Sequence, residues 1–149
     1  MISKILVATD GSKAAQKAAR YAVDLAKQLK ATIIVLSIID KRTFMGQIVQ
    51  AKETATNIME PMEDYLREAA KGYAGEIREL CNKNAVQSET VITAGHPVES
   101  IVKEAAKAKA DLIIMGSHGK SALAAAVLGS VTYGVIHKDT KIPVLIVRR

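Results

Sequence analysis

The chain of 149 residues contains no tryptophan, one phenylalanine and four tyrosines. A core made from it must be aliphatic, of Ile, Leu, Val, Ala and Met, and a single-stranded nucleic acid would find few aromatic faces to stack on. One cysteine, Cys81, excludes an internal disulfide and suits a reducing cytoplasm. Its expected role is packing on a helix face. No apolar run reaches the roughly 18 residues of a membrane span. Asp10 stops the first apolar run early, so no secretory signal is expected either. His96 and His137 lack a Cys or His partner at metal-ligand spacing, so no dedicated protein metal cage is expected. Two phosphate-binding loops are missing as well. There is no G-x-G-x-x-G. Gly119-Lys120-Ser121 looks like the end of a P-loop, but that loop requires a glycine where Ile114 stands.

What is present suits one globular domain over residues 1–149, with 49% hydrophobic residues and enough chain to bury a sizeable core. The net charge of +6, from 21 basic and 15 acidic residues, favours anionic ligands without naming one. Lys13, Lys17, Arg20, Lys27 and Lys30 are spread along one helix and read as solvated surface rather than a nucleic-acid face.

Taken in order, Ile2–Ala8 reads as a buried strand and Thr9-Asp10-Gly11-Ser12 as a turn, with Asp10 or Ser12 capping the helix that follows. That helix spans about Lys13 to Lys30, with Ala15, Ala18, Ala22, Leu25 and Leu29 as its inner stripe. Thr32–Ile39 is nearly all apolar, as in a strand covered on both faces. From Thr43 to about Asn57 the pattern weakens to a long loop or mobile helix. Pro61 fits the first turn of a helix whose stripe is Met62, Leu66, Ala69, Tyr73, Ile77 and Leu80. Gly72 and Gly75 weaken that helix, and close packing against a neighbour is one reason for such residues. Val86–Thr93 alternates like a strand nearer an edge, and Pro97 opens a helix with Val98, Ile101, Val102, Ala105 and Ala108 inward. A strand at Asp111–Met115, a glycine loop, a helix to about His137 and a strand at Pro143–Val147 complete the chain. Strands alternating with helices imply an α/β fold with a doubly wound, mostly parallel five-stranded sheet flanked by about four helices.

The stretch Asp111–Ser130 carries the functional signal. An apolar run stops at Gly116 and Gly119, restarts with helix-forming residues, and after nine intervening residues comes Gly129-Ser130. Glycines let a backbone approach a ligand closely, and the N–H groups of a following helix start suit a phosphate. Spacing alone leaves a structural turn equally open. Gly116-x2-Gly119-x9-Gly129-Ser130 resembles the nucleotide motif of the universal stress protein family, in its ATP-binding branch. Lys4–Ser12 resembles that family's first strand and acidic turn, and Pro143–Val147 its last strand, so the likeness runs through nearly the whole chain.

The resemblance implies a strand order of 3-2-1-4-5 and an adenine nucleotide between strands one and four. It implies Asp10 at the ribose, with Gly116 allowing close approach, and Thr9 among the nucleotide-binding residues. Gly119, Gly129, Ser130 and Val131 would meet the phosphates, and Ala8, Ile38 and Met115 the adenine. His118 reads either as an exposed loop residue with a useful backbone or as a phosphate contact and switch near a pH of about 6.5. ATP is the implied ligand, with AMP or ADP fitting the same slots and Mg or Mn held by the phosphates and water. The family often has a basic residue shortly before the Gly-Ser pair; Ala124-Ala125-Ala126 stand here, leaving Lys120 to supply the charge or phosphate affinity lower. Gly134 inside the last helix is a further departure. A homodimer through residues 142–147 is implied, since exposed strand edges tend to pair. The implied role is a nucleotide-dependent regulatory switch in the cytoplasm, without nucleic acid or membrane. A slow ATPase and a nucleotide-independent dimeric module are the competing readings.

Overall fold

Strand β1, Lys4–Thr9, is the central strand of a five-stranded parallel sheet. The computed structural model describes residues 1–42, 55–120 and 128–148, and of residues 55–60 only the backbone. After β1 come α1 (Lys13–Leu29), β2 (Thr32–Ile39), α2 (Ala55–Lys83) and β3 (Ser88–Ala94). Then follow α3 (Pro97–Lys107), β4 (Leu112–Gly116), α4 (Ser130–Ile136) and β5 (Val144–Val147). The sheet order is β3-β2-β1-β4-β5, the 3-2-1-4-5 arrangement. Ile5 stands opposite Ile33 of β2 on one side and Leu112 of β4 on the other. The chain thus leaves β1 toward β2 and returns to its other flank at β4. Such a reversal opens a crevice at the carboxyl ends of the strands.

The central strands β1, β2 and β4 are almost wholly apolar because each residue alternates to one of two covered faces, while the edge strand β3 keeps Ser88, Glu89 and Thr90. Ile5, Val7, Ile33, Val35, Leu112 and Ile114 face α1 and α2, where they meet Ala18, Ala22, Val23, Ala74, Ile77 and Cys81. Leu6, Ile34, Leu36, Ile113 and Met115 face α3 and α4, where they meet Val98, Ile101, Ala105 and Val135. Most of these strand side chains are fully buried. Burying each stabilises the fold by about 1.5–3 kcal/mol before entropy. The first helical layer is alanine-rich, which lets the helices lie close on branched strand residues.

Ser12 caps α1: its Oγ accepts the Ala15 N–H at 3.1 Å. The inner stripe of α1 is Ala15, Ala18, Ala19, Ala22, Val23 and Ala26, with Leu25 half-buried. Leu29 does not join it and is 41% exposed, because Lys30 turns left-handed and ends the helix there. Among the described residues of α2 the fully buried ones are Ala70, Ala74, Ile77 and Cys81; of the expected stripe Ile77 is among them, while Met62, Leu66, Ala69, Tyr73 and Leu80 lie half-buried beside it. Pro61 lies inside α2, six residues past its start, rather than in the first turn. There it lacks the N–H that would bond the carbonyl four residues back, and its ring crowds that carbonyl. Gly72 and Gly75 face open space, so close packing does not account for them. Gly134 has such a reason: a Cβ there would stand 2.6 Å from Val98 Cγ2, so the glycine lets α4 lie against α3. Residues 43–54 and 121–127, on which the expected loop and the restart after the glycines fall, lie outside the described residues.

Asp111 sits just before β4, with its Oδ2 accepting Ser3 N–H at 2.9 Å, Ser3 Oγ–H at 3.0 Å and Lys4 N–H at 3.0 Å. These bonds pin the start of β1 beside β4. They hold the Asp111 carboxyl below its ordinary pKa.

Candidate functional site

The turn after β1 is held by its own side chains. Thr9, nearly buried, accepts the Gly11 N–H on Oγ1 at 3.1 Å. Asp10 is exposed and accepts the Ser12 N–H on Oδ1 at 2.9 Å. Since Ser12 does the capping, the Asp10 carboxylate projects from the carboxyl end of the central strand. Gly11 has φ of 79°, and a Cβ there would overlap the Tyr73 ring of α2. Both facts demand glycine.

The turn after β4 is fitted between α1 and α4. A Cβ on Gly116 would stand 2.9 Å from the backbone C and O of Ala14, so the first turn of α1 lies directly on that glycine. The Gly116 carbonyl accepts Thr132 Oγ1–H from α4 at 2.8 Å. Ser117 N–H donates to the Val147 carbonyl at 3.0 Å, and the Ser117 carbonyl accepts the Gly129 N–H at 2.7 Å. A Cβ on Gly129 would approach His118 Cα to 3.2 Å. Gly129 therefore serves by its missing side chain, because its N–H is already engaged within the loop. The first-turn N–H groups of Ser130 and Val131 have no carbonyl four residues back in α4 to receive them. Ser130 is exposed and Val131 half-buried.

The two turns touch. Lys120 N–H donates to Asp10 Oδ2 at 3.1 Å, and a Cβ on Gly119 would stand 2.7 Å from the same oxygen. Residues more than a hundred positions apart thus meet above the crevice between β1 and β4. His118 is not an exposed loop residue: it is 7% exposed, with Nδ1 2.9 Å from Ser117 Oγ.

Ala8, Ile38 and Met115 lie together on the α3/α4 face of the sheet, with Val131 packed against the same cluster. Thr32 N–H donates to the Ser3 carbonyl, so the even-numbered residues of β2 turn their backbone groups toward β1. Ile38 is turned the same way, one residue past Ser37, the last to pair with β1. Its main chain therefore lies beside the carboxyl end of β1.

Two features escaped the sequence reading. Tyr73 reads there as one more stripe residue of α2, yet its ring covers Gly11 and Lys120 Nζ lies 4.1 Å from its centroid. Lys120 Nζ also donates to the Tyr73 hydroxyl. No sequence signal marks this contact, since it depends on how α2 crosses β1. Lys13, Lys17 and Arg20, expected as scattered surface charge, recur every three or four residues on α1. With His118, Gly119 and Lys120 they line a cleft of about 590 Å³. A second cavity of about 610 Å³, lined by Lys4, Thr32 and Ser88 among others, lies at the opposite end of the strands. At the end of β2, Arg42 bonds both oxygens of Asp40 and holds that carboxyl below its ordinary pKa. Among the described residues no group of three His, Cys, Asp or Glu stands close enough to hold a metal ion. No helix among them is long and apolar enough to cross a membrane.

Comparison with known proteins agrees with this architecture. Universal stress protein MJ0577 of Methanocaldococcus jannaschii is 35% identical over 158 residues, covering 100% of this chain and 96% of that protein. Its solved structure superposes with a TM-score of 0.83 over 100% of this chain and 97% of that one. Universal stress protein YxiE of Bacillus subtilis is 35% identical, covering 99% of this chain and all of that protein. A universal stress protein solved in complex with cAMP is 26% identical, with a TM-score of 0.62 over 99% of this chain and 97% of that one. The pattern of the universal stress protein family matches residues 1–148, and the chain belongs to that family.

Proposed function

We propose that this protein binds an adenine nucleotide, ATP in the first place, in the crevice between β1 and β4. We further propose that binding acts as a regulatory switch in a cytoplasmic stress response. The observation that carries the reading is the meeting of Asp10 with the Gly119-Lys120 turn at the carboxyl ends of β1 and β4, the end of the sheet where Ala8, Ile38 and Met115 also lie. Each part of a nucleotide finds a suitable group there. Asp10, with Thr9 behind it, offers an acceptor for ribose hydroxyls, and Gly116 keeps the floor low. The N–H groups of Gly119, Ser130 and Val131 and the Ser130 hydroxyl suit phosphate oxygens, with Gly129 and His118 shaping the turn. Ala8 and Met115 offer an apolar slot for adenine, and the main chain of Ile38 a polar edge. AMP or ADP would use the same groups, and Mg or Mn would be held by the phosphates and water. Family membership supports the reading, as does the relative solved with cAMP. In this reading residues 1–149 act as one domain, and a homodimer forms through β5, which lies at the sheet edge.

The test is calorimetric titration with ATP and AMP, alongside amide chemical shifts. ATP is expected to bind and to move the resonances of Gly116, Gly119, Ser130 and Val131. Asp10→Ala is expected to weaken binding about tenfold or more, the loss of charge-assisted hydrogen bonds. Unmoved resonances at millimolar ATP would end the proposal.

A further inference from the structure

We infer that Tyr73 is a positioning residue for the phosphate side of this site, acting through Lys120; the inference rests on the nucleotide reading proposed above. Tyr73 comes from the middle of α2, 47 residues before Lys120. Gly11 clears the space for its ring, since any side chain there would overlap it. The ring then offers Lys120 two holds. The ammonium stands 4.1 Å from the ring centroid and donates to the hydroxyl. The Lys120 main chain is fixed at the same time by its N–H bond to Asp10. Side chain and backbone are thus anchored on different elements, and Gly119 between them and His118 has little freedom left.

The choice of tyrosine has a chemical consequence. A carboxylate partner would fix the lysine and also cancel its charge. A neutral ring face and hydroxyl fix it and leave the charge whole. Among the described residues no carboxylate pairs with Lys120 Nζ. The Ala124-Ala125-Ala126 run supplies no cation. Lys120 is thus a cation carried by the glycine turn itself, beside Lys13, Lys17 and Arg20 of the same cleft, and Tyr73 is the group that holds it there.

The experiment compares binding of ATP and of adenosine, which lacks phosphates, to wild type, Tyr73→Phe, Tyr73→Leu, Lys120→Gln and the double variant Tyr73→Leu/Lys120→Gln. Circular dichroism checks that each variant is folded. Tyr73→Leu is expected to weaken ATP about fivefold and leave adenosine unchanged, the size of one exposed cation–π contact with a hydrogen bond. Tyr73→Phe, which keeps the ring, is expected to lose less. The double variant is expected to be no worse than Lys120→Gln alone, because both changes remove one interaction. Equal losses for ATP and adenosine in Tyr73→Leu would make Tyr73 merely structural and overturn the inference, as would additive losses in the double variant. Wild type that binds ATP with Tyr73→Leu indistinguishable from it sinks the inference alone. Wild type that binds neither ligand sinks the nucleotide reading and this inference with it.

Discussion

At the residue scale the glycines of the site are explained by what would collide with a side chain. Gly116 faces backbone atoms of Ala14, which cannot swing aside as a flexible side chain would. Gly116→Ala is therefore expected to push α1 away from β4 and to cost about 1–3 kcal/mol. Urea unfolding reads this as a lower midpoint at an unchanged slope. Stability equal to wild type would mean that α1 does not rest on the glycine. The turn with Gly116, Gly119 and Gly129 was legible in the sequence because its spacing is a local pattern, whereas Asp10 was singled out by the family likeness. Tyr73 was not legible, because its contact with Gly11 and Lys120 exists only once α2 has been laid across the end of β1. The engagement of the Gly129 N–H by Ser117 was hidden for the same reason: spacing reveals which residue lacks a side chain, not where its backbone groups point.

At the scale of elements, α2 contains two glycines, Gly72 and Gly75, where a Cβ would meet nothing within 4 Å. Gly72→Ala and Gly75→Ala are each expected to stabilise the protein by about 0.5–1 kcal/mol, since alanine restricts the unfolded chain and fills no occupied space. Thermal unfolding of the double variant should show a higher midpoint; a lower one would mean that these positions touch something. β5 poses a different question. The Ile113 N–H donates to the Pro143 carbonyl and the Ser117 N–H to the Val147 carbonyl, so the odd-numbered residues of β5 turn toward β4. Val144 and Ile146 turn their backbone groups to the open edge. Leu145→Pro would cut the ladder to β4 and confuse unfolding with loss of pairing. Ile146→Pro keeps the ladder to β4 and removes an outward N–H, though it also trims a half-buried side chain from the α3/α4 face; circular dichroism checks that it folds, and sedimentation is expected to show a monomer if a second copy pairs along this edge. A dimer that survives the change would move the interface elsewhere. Strand identity and the edge position of β3 were readable because apolar runs and alternation are local. Strand boundaries moved by a residue or two, as at Asp111, whose N–H still bonds the Lys4 carbonyl at 2.8 Å while its side chain turns back to Ser3 and Lys4.

At the scale of the whole molecule, the fold is a closure of distant segments onto β1, and acid should loosen that closure. Asp111 clips the first residues of β1 to β4 through the N–H groups of Ser3 and Lys4, and these bonds hold its folded-state pKa below the unfolded value of about 3.9. Asp40 is shifted the same way by Arg42. The sign follows from linkage. A carboxyl that ionises more readily in the folded chain stabilises it above the unfolded pKa, and the contribution disappears as pH falls through the folded one. The wild-type thermal midpoint is therefore expected to hold near neutral pH and to fall below about pH 4. Asp111→Ala removes the clip at every pH. Its midpoint should start lower at pH 7, and the two curves should converge in acid, where wild type has lost the same bonds. The strand order 3-2-1-4-5 depends on contacts of this kind, separated by more than a hundred residues. Alternation of strands and helices is compatible with other orders, so the order came from the family likeness and not from periodicity. Curves for wild type and Asp111→Ala that stay parallel from pH 7 to pH 3 would show that the clip does not titrate, and the closure of β1 on β4 would then rest on apolar packing alone.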